Sequence, residues 1–153
     1  MKKMVITELS LVAKLSRSGL LKYFKASDIC FHITDFCYSH KSFTYNNDKI
    51  WAKKMTDEGL LRIVNLNEAQ MMRSNGLYLQ LKPRFIFKTI TAIVVAEDFG
   101  YKLVSEDDLL IEVAKSDFNI KCTNKEGLIT EIVYEISTMG GEVDLELVKL
   151  VVG

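Results

Sequence analysis

Ala96-Glu97-Asp98-Phe99-Gly100-Tyr101-Lys102-Leu103-Val104-Ser105-Glu106-Asp107-Asp108-Leu109, running on to Val113-Ala114-Lys115, is the stretch on which the fold turns. Gly100 is a helix stop, since glycine enters the left-handed backbone region at little cost. Tyr101 to Val104 then reads as a short apolar strand. Ser105 with Asp108 three residues on reads as a capping box, Asp standing for the usual Glu. Leu109, Leu110, Val113 and Ala114 carry the helix that follows. A helix, a strand and a helix in succession, with acids crowded where the strand ends, is the pattern of parallel α/β proteins.

The same alternation extends outward. Towards the N-terminus, Pro83 breaks the chain before the long apolar stretch Phe85 to Phe99, a helix apolar enough to be buried on most sides. Strands are expected at Lys3–Thr7, Ile29–Ile33 and Leu60–Leu66. Leu9, Val12, Ala13 and Leu15, then Leu20, Leu21 and Phe24, have helical spacing broken near Ser16–Gly19. Thr34 or Asp35 caps one helix and Asn67 another, through Ala69, Met71 and Met72. Asn46, Asn47 and Asp48 mark a turn before a helix carrying Ile50, Trp51 and Met55. In this reading Trp51 and the Met71-Met72 pair are helix packing. Towards the C-terminus, Phe118–Cys122 is the fifth strand, and Asn124 caps a helix through Leu128, Ile129, Ile132, Val133 and Ile136. After Gly140-Gly141, residues 142–152 form a last helix with an apolar stripe at Val143, Leu147, Val148 and Val151.

Composition sets the class. A chain of 153 residues is read as one domain, 1–153, large enough to bury its own core. Twenty Lys+Arg balance twenty Asp+Glu, so bulk charge does not advertise a nucleic-acid module. The 48% hydrophobic content excludes a disordered acidic protein. No apolar run approaches the roughly 18 to 20 residues of a membrane helix. Met1–Glu8 reads as a strand rather than a secretory signal. Three cysteines, Cys30, Cys37 and Cys122, with no Cys-x-x-Cys, point to free thiols in the cytoplasm.

Right-handed crossovers put every strand's C-terminal end on one edge, where ligands bind in open α/β sheets. The residues to inspect are Glu8, Asp35 to His40, Asn67-Glu68 and Glu106-Asp107-Asp108. His32 lies inside a strand and is read as structural, and Asp35 most simply caps its helix. Lys82, Arg84 and Lys88 surround Pro83 with Phe85 and Phe87 interleaved. Basic residues among aromatics hold single-stranded nucleic acid, or else form the lip of a buried helix whose aromatics face the core.

Three segments together resemble the PIN-domain family of metal-dependent ribonucleases. Val5-Ile6-Thr7-Glu8-Leu9-Ser10, followed by Gly19-Leu20-Leu21-Lys22-Tyr23-Phe24, is similar to the family's opening strand, which ends in an acid. His32-Ile33-Thr34-Asp35-Phe36-Cys37-Tyr38-Ser39-His40 is similar to its second strand-helix junction. Ala96 to Lys115 resembles A-x-x-x-G-x-x-L-(V/L)-T-(D/G)-D-x-x-L-x-x-x-A-K, the most specific of the three, with Phe118-Asn119-Ile120 as the next strand. The likeness spans about residues 4 to 135.

The resemblance implies a three-layer α/β/α sandwich with a five-stranded parallel sheet, strand one in the middle. It also implies a carboxylate cluster holding Mg²⁺ or Mn²⁺, whose bound water attacks a phosphodiester. Here the first acid is Glu8 rather than Asp, and the acid after strand four is Asp107 between Glu106 and Asp108. The second and third acids fall near His40 and Thr89, so two of the four positions carry no carboxylate. Two functions follow. One is a degenerate domain that binds RNA or a protein with weak or no cleavage and needs no metal. The other is a divalent-metal ribonuclease, such as the toxin of a toxin–antitoxin pair. In the second, Glu8 and Asp107 hold the metal, His40 acts as ligand or proton carrier, and Lys82, Arg84 and Lys88 grip RNA phosphates. A nitrogen ligand at His40 would favour Mn²⁺ or Zn²⁺ over Mg²⁺. Expected partners are RNA or an antitoxin or other protein, with no membrane; helix 142–152 packs either on its own domain or on another copy, the latter giving a homodimer.

Overall fold

The computed structural model describes residues 1–82 and 84–152, without the side chains of Leu147, Leu150, Val151 and Val152. Pro83, read as the chain break, lies outside the described residues. In chain order the elements are β1 (Lys2–Ile6), α1 (Leu9–Arg17), α2 (Leu21–Ala26), β2 (Ile29–Thr34), α3 (Asp35–Ser39), α4 (Tyr45–Asp57), β3 (Leu61–Val64), α5 (Glu68–Leu81), α6 (Phe87–Phe99), β4 (Lys102–Val104), α7 (Asp108–Phe118), β5 (Cys122–Thr123), α8 (Lys125–Thr138) and α9 (Leu145–Val152).

The five strands form one sheet in the order β3-β2-β1-β4-β5, every pairing parallel. β1 is therefore the middle strand, with Val5 beside His32 on one side and Leu103 on the other. Met4, Val5 and Ile6 are all buried although successive side chains point to opposite faces. Both faces are covered, as a parallel sheet requires. α6 lies across β1, β2 and β4, with α3 and α5 packed on it. α1 with α4, and α2 with α8, make the second helical layer. α6 buries Ile90 through Ala96 without interruption, which is why it shows no apolar stripe.

Local chemistry sets the element ends. Asn67 and Gln70 form a reciprocal capping box at α5. Asn124 accepts from the Gly127 N–H at α8, and Gly100 closes α6 with φ +71°. Four expectations are corrected. Asn46, Asn47 and Asp48 lie inside α4, whose first turn is fixed when Thr44 Oγ1 donates to Asp48 Oδ2 at 2.7 Å. Phe118 belongs to α7, because Asn119 adopts the left-handed conformation and ends that helix, and β5 keeps only Cys122–Thr123. The cap of α7 is Asp107 rather than Ser105, since Asp107 Oδ1 accepts from the N–H of Leu109 and Leu110. Met72, read as packing, is exposed, whereas Trp51 is half-buried.

α9 packs on α8, and Val143 and Val148 close over the core. The Asp144 N–H donates to the Tyr23 hydroxyl at 2.8 Å, tying this segment to α2. The last helix thus lies on its own domain. Among the described residues no helix is long and apolar enough to cross a membrane.

Candidate functional site

The C-terminal ends of β1 and β4 meet at Ile6 and Val104. The next residue of each strand is a buried hydroxyl, Thr7 and Ser105, with 2.9 Å between their oxygens. Ser105 Oγ donates to Glu8 Oε1 at 3.0 Å and accepts the Asp107 N–H at 3.1 Å. Thr7 Oγ1 lies 2.9 Å from Glu8 Oε1 as well. Its single proton serves either Glu8 or Ser105, so the three groups close a ring. Ser105 stands two residues before the cap position of α7, and its oxygen accepts the Asp107 N–H rather than a helix amide.

The structure thus brings Glu8 and the Asp107 backbone together on one serine, but turns the neighbouring acids to other tasks. Asp107 Oδ1 caps α7. Glu106 Oε1 accepts the Lys125 N–H at 3.0 Å, in the first turn of α8. Asp108 is exposed in the first turn of α7.

At the end of β2, Thr34 caps α3 by accepting the Cys37 N–H at 3.1 Å. Thr34 and Thr91 share a hydrogen bond of 2.9 Å. Cys37 Sγ donates to the Lys88 carbonyl at 3.2 Å, and Thr91 Oγ1 donates to the same oxygen. Burial pushes the Cys37 thiol pKa up, Lys88 pulling it down and Glu8 raising it. Thr89, where the resemblance expects an acid, sits half-buried in the first turn of α6.

His40 ends α3 and is exposed, lining a shallow hollow with Asp35, Phe36 and Ser39. No hydrogen bond or ion pair among the described residues joins it to Glu8 or Asp107. Lys82 and Arg84 are exposed at the end of α5. The aromatics between the basic residues are occupied. Phe85 is buried with the Arg84 guanidinium over its ring, and Phe87 stands edge-on to Phe36 and Tyr78 at 5.2 and 5.8 Å. Here the lip-of-a-helix alternative describes the geometry, and Lys82 and Arg84 offer charge without a free ring.

Among the described residues no three His, Cys, Asp or Glu side chains gather as a metal group. Glu8 Oε1 already serves two hydroxyls and Asp107 Oδ1 two amides. Hard divalent cations take six or more oxygens, several of them charged. The residues present do not fit such an ion.

Sequence reasoning missed the hydroxyl centre, Thr7 with Ser105 and Thr34 with Thr91. The available signal was positional: Thr7, Thr34 and Ser105 all fall at strand ends on the ligand-facing edge. The fold and edge define a parallel α/β/α sandwich with a hydroxyl-bridged acidic junction beside its central strand. The chain matches no family model, and no curated protein is significantly similar to it.

Proposed function

We propose that the chain is a degenerate PIN-like domain of the cytoplasm that binds RNA or a protein partner, with weak or no nuclease activity. One observation carries this reading: the two acids retained at the sheet edge are employed in holding the fold. Glu8 anchors the Thr7–Ser105 pair and Asp107 caps α7. The central place of β1 in a five-stranded parallel sheet supports the likeness to the family. The acid-free positions at His40 and Thr89 support loss of cleavage.

The shared Ser105 favours a second reading, the divalent-metal ribonuclease that serves as the toxin of a toxin–antitoxin pair. It links the Glu8 carboxylate to the Asp107 backbone N–H at the same sheet edge. Calorimetric titration with Mn²⁺ and Mg²⁺, on this protein and on Asp107→Asn, separates the two. The degenerate domain gives no heat that the variant abolishes and leaves an RNA substrate intact. Heat with micromolar to low-millimolar Mn²⁺, lost in Asp107→Asn together with RNA cleavage, would overturn it in favour of the nuclease.

A further inference from the structure

We propose that the concave surface where α1, α2 and α4 converge binds one nucleotide unit, with its phosphate on Arg17, Lys22 and Lys54 and its base against Trp51. The unit is either a free nucleotide or part of a single strand. This site is independent of the reading given to Glu8 and Asp107. α1 and α4 both start where a strand or loop leaves the C-terminal edge, and their last turns lie at the opposite edge. There Ser16 Oγ donates to the Trp51 carbonyl at 2.8 Å, fixing the two helices together. The resulting hollow has a volume of about 410 Å³, within the usual range for small-ligand sites.

Its lining is strongly basic in a chain whose net charge is zero. Arg17, Lys22, Lys25 and Lys54 contribute four cations and Glu58 one acid. Glu58 pairs with Lys25 at 3.3 Å. Among the described residues Arg17, Lys22 and Lys54 have no carboxylate within 4.0 Å. Arg17 and Lys54 occupy last helical turns, where cations are favoured by the helix dipole. The helix ends offset part of this charge, and Lys22 and Lys54 lie over the Tyr23 and Trp51 rings at 5.1 and 5.7 Å, but among the described residues no carboxylate neutralises the three. Lys22, near the start of α2, has no such dipole to offset.

A phosphate carries one to two negative charges, and a guanidinium takes two of its oxygens at once. The half-buried indole of Trp51 adds what a bare anion does not need. It is a flat π-surface with the Lys54 ammonium 5.7 Å from its ring centroid. Aromatic rings beside cations are how single-stranded nucleic acid is held without sequence preference. At the opposite edge Phe85 is buried and Phe87 packs on Phe36 and Tyr78; here the indole is half-buried with only Lys54 over its ring.

Trp51 is the sole tryptophan, so tryptophan fluorescence of the full chain reports this hollow alone. The titrants are uridine 5′-monophosphate, a short oligouridylate and inorganic pyrophosphate. Saturable quenching is expected with a nucleotide form, and which form binds tighter identifies the source. The midpoint should rise at least tenfold in Arg17→Glu/Lys54→Glu and in Lys22→Glu, the second placed away from any helix end. It should be unchanged in Asp107→Asn. Absence of quenching by both nucleotide forms would overturn the proposal. So would a midpoint unmoved by charge reversal, or equal quenching by pyrophosphate at the same midpoint, which would leave an anion site without base recognition.

Discussion

Ser105 is the side chain on which the acidic edge depends. It is fully buried, accepts the Asp107 amide and contacts both Thr7 and Glu8. Ser105→Ala leaves a buried hydroxyl and a backbone N–H short of partners. It should cost about 1–3 kcal/mol in a denaturant melt. Asp107 separates charge from capping. Asp107→Ala should lose about 0.5–2 kcal/mol with the cap, whereas Asp107→Asn, an equally good cap, should stay within about 0.5 kcal/mol of the parent. His32 ties stability to pH. It is 7% exposed, beside Tyr101, and burial pushes its pKa below the ordinary 6.5. The unfolded chain then binds the proton more readily than the folded one. The stabilising contribution is full above about pH 6.5 and is lost as pH falls through that value towards the lower folded one. His32→Gln should flatten the fall in melting temperature between neutral and mildly acidic buffer. A parallel fall in both proteins would refute the assignment.

Elements were legible wherever a single side chain decides them. Thr34, Asn67 and Asn124 cap helices as their sequence positions suggest, because each is a small polar residue directly before a helical run. Ser105 was misread because the Asp107 carboxylate takes the first amides of α7, while the serine hydroxyl serves Glu8, a partner 97 residues away and invisible to local pattern. Phe118 and Ile120 suggest a strand because they are apolar and β-forming, yet the left-handed turn at Asn119 between them ends α7 there. At the candidate site, the acids were legible by place and not by employment. Spacing puts Asp107 after a strand, but only the fold reveals that it caps α7. Nor does sequence separation show that the basic residues of α1, α2 and α4 meet around Trp51. One element is tuned to the atom. A Cβ on Gly127 would collide with Thr123 Oγ1 where α8 starts against β5. Gly127→Ala should therefore destabilise by about 1–3 kcal/mol, measured by thermal or chemical melting, although alanine is the better helix former.

On the scale of the whole molecule, α9 completes the second helical layer. Val143 and Val148 lie with Leu20, Tyr23, Phe24, Ile129, Ile132 and Val133 around a small apolar void. Removal of residues 142–153 should uncover this cluster, lower the melting temperature and raise dye binding to exposed apolar surface. An unchanged melt would show that the helix merely rests on the domain.

The central position of β1 has a kinetic side. Thr7 and Ser105 are 98 residues apart, yet they sit on adjacent strands. During synthesis β1 therefore gains its second neighbour, β4, only after β2, β3 and α6 have been made. Until then one margin of the future sheet centre stands unpaired, in a state open to association with other nascent chains. Such distant pairing also makes folding slow for the protein's size. The middle of this sheet is begun first and closed late, and the interval between the two is when the protein most needs a chaperone.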